Sequence, residues 1–409
     1  MNEQSLINHV SSLLEEFCIK IPTRRLGSAG NQIASKIFND WMVSHQFSLE
    51  RQLFDCQDWE GQGAVLTVND SSFAVFPSPH SLGCEVQSQI VVAQTIEEMY
   101  ALDAKEKILL LRGPIASTQL MPTNYPFYYP DEHREIYEAL EAAKPAAIIT
   151  ATARCPEIAG ASYPVQMIED GNFDIPSVYM TEEEGECLSH FSGQMATIKS
   201  IARRIDSQAW NSIAHFNPTV YPKVMICAHI DAKPGSPGAL DNATGIITLM
   251  LLGSLLKDDS LKIGVDIVSI NGEDHYEAKG EMVYFNAIQG QLKNLGIVIN
   301  IDGLGFVGSK NAFSLYNCEK SLSQLISQTL NPLPSMTKGS EWYQGDHTIF
   351  VQQGIPAIAL TSDELSDLMS QITHTPADSP DKVDPKLVAQ AALSLESLIR
   401  AFDSYFSIS

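Results

Sequence analysis

The sequence contains one stretch, VMICAHID at residues 224–231, that sets the interpretation of the surrounding chain. Its first five residues are apolar, as expected for a strand that is covered on both faces by helices. It ends in His229 and Asp231, and charged or titratable side chains are uncommon in a fully buried position. The stretch therefore predicts a buried strand that carries polar side chains at its carboxyl end.

Strands and helices alternate along the chain after this stretch. The predicted strands cover residues 263–270, 295–301 and 355–360, and the predicted helices cover residues 243–256, 276–288, 322–330 and 386–402. Apolar stripes predict two further amphipathic helices within the first fifty residues. This alternation predicts an α/β fold, with a doubly wound, mainly parallel sheet and helices on both of its faces.

Residues 55–195 have a different texture, with short β-like runs separated by turns rich in Pro, Gly and Ser. We therefore expect two domains. A main α/β domain is predicted from residues 1–54 and 196–409, and a smaller β-rich α/β module is predicted from residues 55–195. The inserted module contains no recognisable group of metal ligands, and we expect it to act as a lid over the main domain's site.

The ionisable residues of the main domain follow its predicted strands. Because the carboxyl ends of parallel strands lie at one edge of a sheet, we expect these side chains to meet there. Unpaired, they would repel one another and raise their own pKa values, whereas a divalent cation would neutralise them. A mixture of imidazole and carboxylate ligands indicates zinc or a similar ion at a catalytic site. The residues at these ends are His229, Asp231, Asp241, Glu273, Asp274, Asp302 and His374.

Taken singly, several of these residues have a commoner explanation. Asp241 precedes a predicted helix and could be its N-cap, and Asp302 precedes Gly303 in a pattern typical of a turn. Neither explanation accounts for the arrival of the right residue type at several successive strand ends. The ensemble therefore favours a metal site.

Five segments carry a family resemblance: AHID, GALDNATG, NGED, NIDG and THTPADSPDKVD occur in this order and resemble motifs of the M28 family of zinc exopeptidases. The resemblance covers about residues 1–50 and 205–409, including the motif at 25–31 and GDHTIF at 345–350. Residues 55–195 resemble more loosely the protease-associated module that several members carry. The resemblance implies a zinc-exopeptidase fold and a zinc-dependent metallopeptidase with one or two Zn²⁺ per chain.

The resemblance also implies a set of ligands. His229 and Asp302 correspond to the ligands of one zinc, Asp274 and His374 to those of the other, and Asp241 to the carboxylate that bridges them. Many family members have Glu where this chain has Asp274, and the shorter side chain makes one filled metal position a firmer expectation than two. Its neighbour His275 is disfavoured as an extra ligand, because three adjacent side chains do not easily reach one metal.

Two catalytic roles follow from the same resemblance. Glu273 corresponds to the general base, and Asp231 corresponds to a carboxylate that would fix the tautomer of His229 through a hydrogen bond. Thr373 occupies the place where some members have a Tyr that stabilises the oxyanion. That role is left open between His347, Tyr343 and the metals.

The function that the sequence favours is an aminopeptidase that acts on short peptides. Glutaminyl cyclisation on the same fold is one alternative, although it works with one zinc. A carboxypeptidase is a second alternative, but it needs a cation for the substrate carboxylate, and no motif supports Lys233, Lys310 or Lys338 in that role. A non-catalytic receptor-like or scaffold relative is a third, although such relatives typically lose ligands that are all present here.

Composition excludes other classes of function. The chain of 409 residues has 26 Lys and Arg against 49 Asp and Glu, a formal net charge of −23, which disfavours binding to nucleic acid or to anionic membranes. Its seven cysteines do not predict a disulfide framework. The first residues do not resemble a signal peptide, and the longest apolar stretch, residues 245–256, is shorter than the ~20 residues of a membrane span. We expect a cytoplasmic protein, and no pattern specifies an oligomeric state.

Overall fold

The computed structural model describes residues 2–21, 23–155, 159–257 and 260–407. Its α-helices are α1 (Glu3–Glu15), α2 (Ala29–Ser44), α3 (Ile96–Ala101), α4 (Asp131–Ala143), α5 (Glu182–Ser189), α6 (Thr244–Leu256), α7 (Lys279–Ile288), α8 (Lys320–Leu330), α9 (Thr348–Gln352), α10 (Leu365–Gln371) and α11 (Pro385–Phe406). Its strands are β1 (Ser48–Val68), β2 (Ser71–Phe73), β3 (Phe76–Pro77), β4 (Cys84–Ala93), β5 (Ile108–Leu111), β6 (Ala147–Thr152), β7 (Ser177–Thr181), β8 (Met195–Phe216), β9 (Lys223–His229), β10 (Gly264–Ile270), β11 (Leu295–Ile301), β12 (Asn311–Tyr316), β13 (Met336–Lys338) and β14 (Ala357–Ser362).

The chain divides into two compact units. The first unit comprises Met1–Cys56 and Gln208–Ser409, and the second comprises Gln57–Ser207. The strands β1 and β8 carry the chain out of the first unit and back into it. The return to the first unit therefore falls inside a long strand rather than in a loop.

The first unit contains a mixed, mainly parallel sheet in the order β13-β12-β14-β11-β9-β10-β8. The central strand β9 pairs in parallel with β10 and β11, and β11 pairs in parallel with β14. Antiparallel pairs occur towards both sides, between β8 and β10 and between β12 and β14. The predicted fold class is thus confirmed. The register pairs His229 with Ile270, so β9 and β10 end at the same level.

The helix α6 follows β9 along the chain and forms the centre of the apolar core. All of its residues except Leu255 are buried, since it packs against α1, α2 and α11. A helix that is apolar on every side is expected only where it is covered on every side. Residues Ala239–Leu256 are long and apolar enough to cross a membrane, but 94% of this window is buried inside the protein, as in the core helix of a folded domain.

The helix α7 begins three residues later than the periodicity of the sequence predicts. Ala278 has a φ of +44°, in the left-handed region that an alanine rarely adopts, and the helix starts only at Lys279. The loop between β10 and α7 is therefore longer than expected. This loop carries Glu273 and Asp274.

The strands of the second unit have a parallel centre. The strands β4, β5, β6 and β7 pair in parallel in that order, and β8 and β3 add antiparallel partners at the two sides. Separate clusters of apolar side chains cover its two faces. The segment that the sequence sets apart by its short β-like runs is therefore an α/β unit with a core of its own.

The buried face of α6 gives a test of the core. Leu249 is 0% exposed, and we expect Leu249→Ala to lower the free energy of unfolding by roughly 2–5 kcal/mol, because it leaves a cavity that the neighbours cannot fill. Leu53→Ala, at a leucine in the same unit that is 60% exposed, should change it by about 0.5 kcal/mol or less. Urea unfolding measures both, and equal effects would contradict the packing described for α6.

Candidate metal centre

The structure brings the five predicted metal ligands to one place in the first unit. His229 is the last residue of β9, and Asp302 follows β11 directly. Asp241 lies in the segment Ala239–Ala243 that precedes α6, Asp274 lies in the loop after β10, and His374 follows α10. The ends of sheet strands therefore position His229 and Asp302, and the other three ligands lie in segments outside the strands.

The cluster has two halves that share Asp241. The Nε2 atom of His229 lies 3.2 Å from Oδ1 of Asp241 and 3.6 Å from Oδ1 of Asp302. The Nε2 atom of His374 lies 3.2 Å from Oδ2 of Asp241 and 3.3 Å from Oδ1 of Asp274. Each oxygen of Asp241 thus faces a different imidazole, which is the arrangement of a carboxylate that serves two metals.

Several buried polar atoms of this cluster lack a hydrogen bond. Among the described residues, neither ring nitrogen of His229 has a hydrogen-bond partner, and neither does Oδ2 of Asp274. Buried polar atoms are nearly always satisfied, so these atoms call for a ligand. One ligand atom each of His229, Asp241 and Asp274 lies within 4.8 Å of the other two. This donor set of imidazole nitrogen and carboxylate oxygen fits zinc.

The charges of the cluster shift the pKa of both imidazoles upward. Burial would lower the pKa of His229, but the carboxylates of Asp302, Asp231 and Asp241 outweigh it and raise the pKa well above the ordinary value. Burial is likewise outweighed at His374, where Asp241 and Asp274 raise the pKa. Burial also raises the pKa of Asp302, to about 6. In the metal-free chain, protons therefore neutralise part of the charge that a metal would neutralise.

Asp231 makes its shortest contacts with the loop after β10. Its Oδ1 accepts the N–H of Gly272 at 2.7 Å and of Glu273 at 3.3 Å, and its Oδ2 accepts the N–H of Asp274 at 3.0 Å. The distance from its Oδ1 to Nδ1 of His229 is 3.7 Å, which is too long for a hydrogen bond. The structure thus differs from the hydrogen bond that the resemblance implies. Successive N–H groups of the loop surround the carboxylate as in an anion-binding nest.

Glu273 belongs to this loop and is half-buried. Burial raises the pKa of its carboxyl well above the ordinary value, and the carboxylates of Asp274 and Asp302 add to the increase while His229 opposes it. A carboxyl group with a raised pKa beside a candidate metal site is typical of a general base or acid.

The residues considered for other roles have partners of their own. Nδ1 of His347 lies 3.3 Å from Nδ2 of Asn300 and its Nε2 lies 3.0 Å from the carbonyl oxygen of Trp342, so both ring nitrogens are engaged. Burial lowers the pKa of His347 to about 4 and keeps the ring neutral. The hydroxyl of Tyr343 donates to Glu341 at 2.8 Å. These contacts leave the oxyanion role open.

His275 is engaged next to the cluster. Its Nδ1 accepts the N–H of Glu277 at 3.3 Å, and its ring lies 4.2 Å from that of Tyr276. These contacts account for its burial without a metal.

Two buried acids were missed by the sequence analysis. Asp346 is 1% exposed with neither carboxyl oxygen hydrogen-bonded among the described residues, and Glu281 on α7 is 5% exposed. Burial raises the pKa of both well above the ordinary value, and the negative charge of Glu281 adds to the shift at Asp346. Glu281 directly precedes the apolar run MVYF, and that mismatch was the available signal, whereas the polar residues before Asp346 gave none.

The mainly parallel sheet and the imidazole–carboxylate cluster at its carboxyl edge define the zinc-exopeptidase type of α/β protein. Residues 211–398 match the family model for peptidase family M28. The resemblance to family M28 found in the motifs of this part of the chain is therefore confirmed.

Solved structures support the same fold over nearly the whole chain. An aminopeptidase from Aneurinibacillus sp. strain AM-1 superimposes with a TM-score of 0.74 at 17% identity, covering 97% of this chain and 93% of that one. BSAP, a zinc aminopeptidase from Bacillus subtilis, superimposes with a TM-score of 0.73 at 20% identity, covering 96% and 94%. The zinc-exopeptidase type of fold is thus confirmed.

A curated relative shows similarity at the level of sequence. Aminopeptidase YwaD of Bacillus subtilis strain 168 is 25% identical over 235 residues, which are 53% of this chain and 49% of the relative. The match thus spans about half the length of that relative.

The raised pKa values of the two imidazoles predict a release of protons when metal binds. Because the neighbouring carboxylates raise the pKa of His229 and His374 and zinc binds only the neutral ring, zinc uptake should release protons, on the order of one to two per chain. Calorimetric titration in buffers of different ionisation enthalpy measures this number. The apparent zinc affinity should rise with pH between pH 6 and 8. Uptake without proton release would contradict the charge balance described here.

Proposed function

We propose that this protein is a zinc-dependent aminopeptidase that removes the N-terminal residue of short peptides. The observation that carries the proposal is the position of Asp241, with one carboxylate oxygen 3.2 Å from each of two imidazoles. Glu273 has a raised pKa and interacts electrostatically with His229, Asp274 and Asp302 of the same cluster. The M28 family model and the aminopeptidases among the similar proteins support the same activity.

We propose two zinc positions. His229 and Asp302 would hold one ion, His374 and Asp274 would hold the other, and Asp241 would contact both. The chemistry that zinc supplies when bound is polarisation of a peptide carbonyl and a lower pKa of water. The short side chain of Asp274 is held in place at its backbone, since its N–H donates to Asp231 at 3.0 Å.

The role proposed for Glu273 is to move one proton. Its carboxylate would accept a proton from the attacking water and pass it to the nitrogen of the leaving peptide. Positive charge at the loaded cluster opposes the upward pKa shift that burial causes, so Glu273 is ionised and able to accept a proton when the cluster is filled. Asp231 supports this role, because it accepts the N–H of Glu273 and of its neighbours on both sides.

The charge of the site favours a substrate amine over a substrate carboxylate. The carboxylates of Asp241, Glu273, Asp274 and Asp302 would attract an ammonium group. Arg24 contacts the segment before Asp241, but its guanidinium is buried and donates to backbone carbonyls. It is therefore not available as a fork for a substrate carboxylate.

Replacement of the proposed base tests the mechanism. Glu273→Gln keeps the shape of the side chain but removes the proton acceptor, and it should lower kcat by about 10²–10⁴-fold while zinc content stays unchanged. Glu277→Gln, the same substitution four residues later in the loop, should retain most activity. Steady-state kinetics and metal analysis provide both numbers. A Glu273→Gln enzyme with near-normal kcat would leave Glu273 with a structural role only.

Acetylation of the substrate's amine tests which end of the peptide the site recognises. One peptide is compared with a free and with an acetylated N-terminus at equal concentration, and we expect cleavage of the first residue only when the amine is free. Mass spectrometry of the products identifies the end that is released. Release from the C-terminal end would favour a carboxypeptidase. Ring closure of an N-terminal glutamine would favour a cyclase, and the absence of any turnover by the zinc-loaded protein would favour a non-catalytic relative.

A further inference from the structure

Asp378 binds the backbone that leads to Asp241. Its side chain is 0% exposed, with Oδ1 accepting the N–H of Leu240 at 2.7 Å and Oδ2 accepting the N–H of Asp241 at 3.0 Å. Its carbonyl oxygen also accepts the N–H of Ala239 at 3.2 Å. Both side-chain oxygens thus accept backbone N–H groups. Three consecutive N–H groups before and at Asp241 are therefore held by one residue.

Arg24 holds the other side of the same segment. Its guanidinium is 2% exposed and donates to the carbonyl oxygens of Pro237 at 2.8 Å and Gly238 at 2.7 Å. It also donates to the carbonyl oxygens of Phe17 at 2.9 Å and Ile230 at 3.1 Å. Ile230 follows the ligand His229 directly. One side chain thus ties the end of β9 to the segment that carries Asp241.

The contact between Arg24 and the segment is close enough to require a glycine. Gly238 has a φ of +60°, in the left-handed region, and a Cβ added there would lie 2.7 Å from Nη2 of Arg24 and 2.6 Å from Cβ of Ala232. The absence of a side chain at Gly238 therefore permits the approach of the guanidinium.

We infer that Asp378 and Arg24 are positioning residues for the metal cluster, which together clamp residues 237–241 so that the Asp241 carboxylate faces both imidazoles. The cation binds the carbonyls of residues 237 and 238, and the anion binds the N–H groups of residues 240 and 241. Asp378 also lies four residues after His374, so its segment carries one ligand and holds another. The inference rests on the proposed zinc site and extends it to two residues that touch neither metal nor substrate.

Electrostatic repulsion explains why the cluster needs such a clamp. Asp241 lies near the buried carboxylate of Asp274 and the partly buried carboxylate of Asp302, and like charges in a poorly solvated site push one another apart. If Asp241 were displaced, its carboxylate would move out of reach of His229 and His374 together. Side chains that orient metal ligands without touching the metal typically contribute about 10–100-fold to metal affinity.

The experiment compares Asp378→Asn with a matched control. Asn keeps the volume but offers one oxygen to two N–H groups, so one N–H loses its acceptor. Asp170→Asn is the control, because Asp170 in the second unit is 1% exposed and also accepts backbone N–H groups with both oxygens, from Thr123 and Asn172 at 2.8 Å each. Arg24→Lys is the second variant, since a lysine ammonium cannot span the carbonyls of Ile230 and Gly238 together.

The readouts are the zinc dissociation constant by chelator competition and the urea midpoint of the metal-free chain. We expect zinc affinity to fall about 10–100-fold in Asp378→Asn and Arg24→Lys and to change less than about twofold in Asp170→Asn, although all three lose stability. Equal zinc affinity in all four proteins would make the clamp purely structural and overturn the inference. So would a wild-type chain that takes up no zinc.

Kinetics separate this inference from the proposed function. When Asp378→Asn is compared with the wild-type enzyme at saturating zinc, its kcat should fall by a larger factor than its KM rises. The reason is that the proposed defect lies in the ligand geometry rather than in peptide binding. A wild-type chain that binds zinc tightly but hydrolyses no peptide contradicts the aminopeptidase proposal alone. The affinity comparison between Asp378→Asn and Asp170→Asn still decides the positioning role in that case.

Discussion

The carboxylate of Asp241 is the group on which the geometry of the site depends, because it lies 3.2 Å from one imidazole on each side. His229 reaches it from the end of a central strand, and His374 reaches it from a loop near the end of the chain. Any shift of Asp241 therefore changes both halves together. Its position is also the most difficult to maintain, since it lies among carboxylates that repel it and its own charge is largely removed from water.

The fold restrains the backbone around Asp241, where the carboxylates repel one another. The strand β9 is held on both sides by parallel partners, and α6 begins directly after the Asp241 segment as a helix that is buried on every side. Two further carboxylates fix the loops by the same device: Asp231 accepts N–H groups of residues 272–274, and Asp378 accepts those of residues 240 and 241. Acids that bind no metal thus hold in place the backbone of acids proposed to bind it.

The elements with the strongest periodicity were the most predictable. The strand at residues 224–231 and the helix at 243–256 were located to within about two residues, because an uninterrupted apolar run leaves few alternatives. The start of α7 was missed by three residues, because the left-handed turn at Ala278 is not encoded by a glycine. The strands β1 and β8 exceed twenty residues and pass between the units, and their alternating polar and apolar residues gave no sign of that length.

The fold class, the order of the strand ends and the types of residue at those ends could all be predicted from the amino-acid sequence, since each depends on patterns within a few residues. The backbone groups that each buried charge binds could not be predicted in this way. Asp378 lies 137 residues from Asp241, and Arg24 lies 214 residues from Gly238. Asp231 lies 3.7 Å from the ring nitrogen of His229, where a hydrogen bond was expected, and it accepts N–H groups of a loop 41–43 residues away. Such bonds depend on the conformation of loops that local periodicity does not specify, and each forms only after the sheet has brought distant segments within about 3 Å, the length of a hydrogen bond.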